Sequence, residues 1–168
     1  MKEKNTAIDA LKTAILLERR GKAFYTQAAK QTESKSAKKI FEIMAEEEGA
    51  HIEFLVKQFK TYADTNQFSE IDEFSEEEDD AVIEILTEQV KNEISAAGFE
   101  ASAISAAIDF ENRAIEVYSS RAKESLDPNE KKMYQMLADW EKTHHHLLYR
   151  LNEDLKEQVW NDNNFWPF

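Results

Sequence analysis

The sequence predicts an all-α protein, namely a four-helix bundle made of two antiparallel helical hairpins. The 168 residues include only 3 glycines and 2 prolines, which are too few for the many turns of a β-sandwich or barrel. Apolar residues recur at helical spacing through four long segments. The two hairpins are also copies of one another in sequence. A chain of this length is expected to form one domain with a fair-sized core.

The first hairpin consists of two long predicted helices. The first helix is expected to begin at Thr6, which can cap the N-terminus, and to end at Gln31. The second is expected to begin at Ser34 or Ser36 and to reach Tyr62. Because the connection is short, the two helices should pack as antiparallel neighbours.

The segment after the first hairpin is polar and acidic, and it is long enough for the second hairpin to return beside the first. Phe68, Ile71 and Phe74 are expected to pack this segment onto the bundle. A shorter helix is predicted to begin at Ser75 and to end before Gly98, with an apolar stripe made of Val82, Ile85, Leu86, Val90 and Ile94.

The second hairpin begins with a helix predicted from Ser102 to Ser125. The motif DPNE then indicates the start of the last helix. Asp127 can cap this helix, Pro128 suits the first helical position, and Glu130 can complete a capping box. The predicted organisation is therefore a bundle over residues 1–158, with hairpins at 6–62 and 102–156, a crossover at 63–101 and an aromatic tail at 159–168.

Charge and composition exclude several classes of function. The chain has 34 acidic and 21 basic residues, and the resulting net charge of −13 disfavours binding to nucleic acids or anionic membranes. There is no cysteine, so thiolate metal sites and disulfides are excluded. The first residues lack the apolar region of a secretory signal, and no apolar run is long enough to cross a bilayer. We therefore expect a cytoplasmic protein.

The internal repeat becomes visible when the sequence is shifted by 93 positions against itself. The second hairpin then aligns with the first without a gap. In each copy, a glutamate of the first helix is followed thirty residues later by a Glu-x-x-His motif on the second helix. The aligned pairs include Glu18 and Glu111, Tyr25 and Tyr118, Glu48 and Glu141, and His51 and His144.

The duplicated glutamates and histidines all fall on the apolar stripes of their helices, where a core residue is expected. A buried, unpaired carboxylate costs several kcal/mol, and four of them together would repel one another. Two divalent cations would balance the four negative charges, and neutral imidazoles would complete the coordination. Residues i and i+3 share a helix face, so each Glu-x-x-His motif can bind with both side chains. The sequence thus predicts a metal site formed by Glu18, Glu48, His51, Glu111, Glu141 and His144.

These motifs resemble those of the ferritin-like di-iron carboxylate superfamily, and most closely those of the rubrerythrin branch. The resemblance extends over nearly the whole chain and implies two iron ions per chain. It implies that Glu18 and His51 bind one iron, that Glu111 and His144 bind the other, and that the remaining two glutamates bridge them. It also implies that Tyr25 and Tyr118 lie beside the metals and assist catalysis. Both tyrosines can equally be ordinary core aromatics.

The sequence departs from the rubrerythrin pattern at two points. Rubrerythrins carry a further glutamate three residues after the ligand at position 111, where this chain has Ala114. They also carry a rubredoxin-like domain with four cysteines, whereas these 168 residues contain none. We therefore expect electrons from an external donor such as a rubredoxin-like protein. A homodimer is also expected.

Three functions are compatible with this reading. The resemblance favours a di-iron redox protein that oxidises Fe(II) with peroxide or O₂, either to scavenge the oxidant or as a ferroxidase. The alternatives are storage, buffering or sensing of iron or another divalent metal without turnover, and a structural bundle that holds zinc. Zinc and manganese suit the same ligands.

His145 and His146 point away from His144 around the helix and are interpreted as surface residues. The acidic runs at 46–48 and 76–80 are interpreted as solvated, apart from Glu48.

Overall fold

The computed structural model describes residues 2–71, 80–96 and 98–162, and these residues form five helices with no strand among them. The helices are α1 (Lys2–Gln31), α2 (Lys35–Thr65), α3 (Asp80–Glu93), α4 (Phe99–Glu124) and α5 (Pro128–Asp162). The predicted all-α class is confirmed. None of the helices in the described part of the chain combines the length and apolarity that crossing a bilayer requires.

The helices pack as two hairpins that face each other. The longest interfaces are those of α1 with α2 and of α4 with α5, and α1 also contacts α4. The loops within the hairpins are only three residues long, so the paired helices run antiparallel. The crossover helix α3 lies outside this four-helix arrangement and contacts α2 and α5. The architecture is that of a ferritin-like bundle with one crossover.

Several helix ends differ from the prediction. The first helix begins at Lys2, so Thr6 lies inside it and does not cap it. Lysine and glutamate are good helix formers and no glycine or proline precedes Thr6, so nothing in the sequence stops the helix there. Ser34 does cap α2, where its Oγ accepts a hydrogen bond from the amide of Ala37 at 3.0 Å. The second helix ends at Thr65, three residues later than expected.

The second hairpin is longer than predicted at both of its outer ends. Gly98 is the N-cap residue of α4, which therefore begins at Phe99 and not at Ser102. The last helix continues to Asp162, because the residues after 156 contain no helix breaker before that point. Residues 159–162 therefore belong to α5 and not to a separate tail. The rest of the proposed tail, the predicted helix start at Ser75, and Phe74 lie outside the described residues.

The start of α5 is capped by Asp127, whose Oδ1 accepts hydrogen bonds from the amides of Asn129 and Glu130 at 2.8 and 3.0 Å. Glu130 has a different role from the predicted capping box. Its carboxylate accepts hydrogen bonds from Arg121 at 2.5 and 2.8 Å and from Ser125 at 2.5 Å. The charged guanidinium is a stronger donor than a backbone amide, and the resulting ion pair joins the start of α5 to the end of α4.

The crossover packs on the bundle only in part. Phe68 and Ile71 are buried, as predicted. Val90, in the C-terminal half of α3, is buried. Val82 and Ile85, in the N-terminal half, are 41% and 59% exposed. The apolar stripe of α3 thus meets the bundle from Leu86 onward. At the end of α3, the Glu93 carboxylate accepts hydrogen bonds from Ser34 and Ser36 at the start of α2.

The interior contains two apolar clusters along the bundle. The Leu11 cluster includes Leu11, Ala14, Leu55, Tyr118, Met133 and Leu137. The Ile40 cluster includes Tyr25, Ile40, Met44, Ile104, Ala107 and Leu148. Residues that align in the internal repeat lie in opposite clusters, as a two-fold relation between the hairpins requires. On every bundle helix the predicted ligands lie between residues of the two clusters, so they occupy a central layer.

Candidate metal centre

The central layer of the bundle is made of ionisable side chains that are almost completely shielded from solvent. The relative exposure of these residues is between 0% and 2%. They are the six residues that the repeat identifies: Glu18, Glu48, His51, Glu111, Glu141 and His144. Each bundle helix contributes at least one of them. The helical period that buries the apolar residues of each stripe therefore buries these polar residues too.

These side chains form two overlapping groups, each with one ligand atom per residue and all such atoms within 4.8 Å of one another. The first group is Glu18, Glu48, His51 and Glu141, and the second is Glu48, Glu111, Glu141 and His144. Glu48 and Glu141 belong to both groups. A carboxylate has two oxygens, so each of these two glutamates can contact both positions.

The imidazoles direct the same ring atom into the centre. His51 Nδ1 lies 3.1 Å from Glu18 Oε2 and 3.3 Å from Glu141 Oε1. His144 Nδ1 lies 3.7 Å from Glu111 Oε1 and 3.6 Å from Glu141 Oε2. Both rings therefore present Nδ1 to the carboxylates of their own group.

Several polar atoms of this layer have no hydrogen-bond partner although they are buried. They are both carboxylate oxygens of Glu48 and of Glu141, one oxygen of Glu111, and His144 Nδ1. An unsatisfied buried donor or acceptor costs about 1–3 kcal/mol, and more when the group is charged. Divalent cations would contact these atoms directly. The donor set of carboxylate oxygens and imidazole nitrogens fits iron, manganese or zinc.

Crowding of the carboxylates changes their acid–base behaviour in the metal-free protein. Burial raises the pKa of Glu48 well above its usual range, and the nearby Glu18 and Glu141 raise it further. Burial also raises the pKa of Glu111 to about 8. Burial would likewise raise the pKa of the Glu141 carboxyl, but the adjacent imidazoles of His144 and His51 outweigh it and hold that pKa below its usual value. Without metal, the layer must therefore hold protons at neutral pH.

The two tyrosines of the repeat lie directly beside the centre. The Tyr25 hydroxyl on α1 donates a hydrogen bond to Glu111 on α4, and the Tyr118 hydroxyl on α4 donates one to Glu18 on α1. Burial is the main reason that the pKa of both hydroxyls lies well above the usual value, and the nearby carboxylates raise it further. Both tyrosines therefore remain protonated donors, and they join the two hairpins across the layer.

A residue interpreted from sequence as solvated surface also contacts this centre. Glu47 is only 18% exposed at its side chain, and its Oε2 lies 2.8 Å from His144 Nε2. The aligned position in the other copy is Trp140, whose indole ring stacks on the His51 imidazole with the centroids 4.6 Å apart. The repeat could not identify Glu47 because the two copies differ there. Its place immediately before Glu48 was the available signal.

The other histidines are not part of the cluster. His145 is half-buried and stacks on Tyr149, and His146 is exposed. Ala114, where the rubrerythrin pattern has an additional glutamate, is buried in the Leu11 cluster. The described site therefore contains four carboxylates and two imidazoles.

Fold and site together define a helical-bundle protein with a buried carboxylate–histidine centre suited to metal binding. Residues 9–152, which make up most of the chain, match the model of the family described as Rubrerythrin. The chain belongs to the rubrerythrin family. Comparisons with curated proteins and with solved structures gave no match.

Gly21 provides the space for the Glu48 carboxylate, and this predicts the effect of a substitution. A Cβ at Gly21 would lie 2.9 Å from Glu48 Oε1 and 2.9 Å from a ring carbon of Phe110. We expect Gly21→Ala to displace the carboxylate and to weaken metal binding about 10- to 100-fold, as loss of a supporting contact does at other metal sites. Calorimetric titration with Zn²⁺ measures this change.

Gly49→Ala is the matched control for Gly21→Ala. The nearest atom to its added Cβ would be Lys22 Nζ at 2.8 Å, the end of a flexible side chain that can move away. Metal affinity should be unchanged, and stability in urea should rise by up to about 1 kcal/mol because alanine favours a helix. Equal Zn²⁺ affinities for Gly21→Ala and the wild type would contradict the role assigned to Gly21.

The raised pKa of Glu111 predicts that metal uptake releases protons at neutral pH. With a pKa of about 8 in the metal-free protein, this carboxyl is protonated at lower pH and must ionise before it can bind a cation. Affinity should therefore rise with pH through about pH 8, by up to about tenfold per unit for each proton released. Calorimetry in buffers of different ionisation enthalpy counts these protons. A pH-independent affinity with no proton release would contradict the prediction.

Proposed function

We propose that this protein is a non-haem di-iron oxidoreductase that oxidises paired Fe(II) with hydrogen peroxide or O₂. The observation that carries the proposal is the pair of overlapping ligand groups that share Glu48 and Glu141 in a water-shielded layer. Membership of the rubrerythrin family supports the choice of iron. The physiological role would be to remove peroxide or oxygen.

Charge balance supports two metals per chain. Four ionised carboxylates supply four negative charges, which two divalent cations neutralise while the imidazoles bind as neutral ligands. We assign Glu18 and His51 to one metal and Glu111 and His144 to the other. The two shared carboxylates, Glu48 and Glu141, would help to hold both metals.

The reaction needs two electrons for each peroxide molecule. When bound, two ferrous ions would supply one electron each, and with two protons the peroxide would become two molecules of water while both irons become ferric. The carboxylates favour the ferric state because they are hard, anionic ligands. The Leu11 and Ile40 clusters on either side exclude bulk water from the layer.

The chain supplies two hydroxyls beside this chemistry. The Tyr25 hydroxyl holds Glu111 and the Tyr118 hydroxyl holds Glu18, so each orients one of the carboxylates assigned to a single metal. Because both hydroxyls retain their protons, they are also the nearest tyrosine groups able to give a hydrogen atom to an over-oxidised centre. We propose these two tyrosines as catalytic residues.

Turnover requires a source of electrons and involves partners that we propose from the sequence. Because these 168 residues contain no cysteine, the electrons would come from a centre outside them, for which we propose a rubredoxin-like protein. A homodimer is our proposal for the assembly. Two large side chains on α5, Tyr149 and Trp160, are 48% and 60% exposed. Exposed side chains of this size support a contact between two subunits.

The alternative function is storage, buffering or sensing of iron or another divalent metal without turnover. The observation that favours it is Ala114, which stands where rubrerythrins carry an additional carboxylate. A site with fewer oxygen ligands has less means of stabilising the ferric state. Light scattering after size-exclusion chromatography separates the alternatives in part, because a storage shell requires many subunits whereas scavenging does not.

The redox proposal predicts that peroxide oxidises the iron-loaded protein rapidly. Anaerobic protein with two Fe(II) per chain is mixed with hydrogen peroxide, and ferric absorbance is followed by stopped-flow. We expect one peroxide to be consumed per two irons. Glu141→Ala should lose paired metal binding and with it this stoichiometry, whereas Glu46→Ala, at an exposed position, should behave as the wild type. Ferrous protein that peroxide leaves unoxidised would rule out the redox function and favour the alternative.

A further inference from the structure

Glu47 is an acidic residue of α2 that reaches a metal-ligand candidate on the opposite hairpin. Its Oε2 lies 2.8 Å from Nε2 of His144 on α5. The His144 side chain is 1% exposed, whereas that of Glu47 is 18% exposed. Glu47 therefore lies at the outer edge of the central layer, on the far side of the imidazole from the other carboxylates.

The two ring nitrogens of His144 have different surroundings. Nε2 faces the Glu47 carboxylate, which can only accept a hydrogen bond when ionised, so Nε2 must carry the proton of this contact. Nδ1 is buried without a hydrogen-bond partner and lies 3.6 and 3.7 Å from oxygens of Glu141 and Glu111. When the imidazole is neutral, a proton held on Nε2 by Glu47 leaves the Nδ1 lone pair available for a cation in the centre.

We propose that Glu47 is a positioning residue of the metal centre, which holds the Nε2–H of His144 so that Nδ1 binds the metal beside Glu111 and Glu141. The inference rests on the proposed metal centre and assigns a role to a residue that does not itself touch the metal. The carboxylate restricts rotation of the ring and makes the imidazole a stronger electron donor. It also connects α2 to α5 at the level of the centre.

The neighbouring acid Glu46 provides a matched control. It carries the same charge on the same helix turn, but it is exposed. Removing Glu46 changes the net charge of the protein as much as removing Glu47 does. Any effect confined to Glu47 is therefore due to its contact with His144 and not to the general electrostatic field.

The experiment compares the wild type with Glu47→Ala, Glu47→Gln and Glu46→Ala, using Zn²⁺ as a diamagnetic probe. Calorimetry gives the number and affinity of the bound ions. Nitrogen-15 NMR of the Zn²⁺-loaded protein identifies which ring nitrogen of His144 binds metal and how fast the Nε2 proton exchanges with water. A residue that merely stabilised the fold would not change either NMR property.

We expect Glu47→Ala to weaken binding of one Zn²⁺ about 10- to 100-fold, and to speed exchange of the Nε2 proton. Glu47→Gln retains an oxygen that accepts from Nε2–H and should recover part of both properties, and Glu46→Ala should match the wild type. If Glu47→Ala and the wild type had the same Zn²⁺ affinity and the same rate of Nε2 proton exchange, the role of Glu47 would be refuted but the metal centre would not. Coordination through Nε2 in the wild type would also refute that role. A wild type that binds no metal would instead refute the metal centre itself.

Discussion

Electrostatic repulsion among four buried carboxylates is the constraint on which the rest of this structure depends. Glu48 and Glu141 have no hydrogen-bond partner for any of their oxygens, although neither residue is more than 1% exposed. Desolvation of such groups costs several kcal/mol each, and their mutual repulsion adds to that cost. The metal-free protein reduces the cost by holding protons, as the raised pKa of Glu111 indicates. Divalent cations would remove the cost in another way, by binding the same oxygens.

The two-fold arrangement of the hairpins follows from the same constraint. Each hairpin supplies three of the six ionisable residues, so neither hairpin can form both ligand groups alone. The tyrosines strengthen this dependence, because Tyr25 and Tyr118 each bond a glutamate of the other hairpin. The apolar clusters on either side of the layer exclude water and keep the interactions within it strong. Fold and centre therefore depend on each other, and binding of metal is expected to stabilise the packing of the hairpins.

The repeat and the helical period predict most of the fold and all six ionisable residues of the central layer, because both signals are local or duplicated. The errors have physical causes. Thr6 is a good cap, but favourable residues before it let the helix continue. Val82 belongs to an apolar stripe, yet only tertiary packing decides which part of that stripe is covered. Glu47 differs from its counterpart Trp140, and its partner His144 is distant in sequence, so neither periodicity nor the repeat reveals the contact.

The proposed di-iron function requires one chain to hold two metal ions, with Glu48 and Glu141 available to both. Anomalous diffraction at the iron absorption edge, from crystals of the iron-loaded protein, tests this most directly because it locates each ion without reference to activity. We expect two peaks per chain in the central layer, about 3.5–4 Å apart as in other two-metal sites, one beside each ligand group. A single peak, or peaks outside this layer, would show that the two ligand groups do not each hold a metal ion.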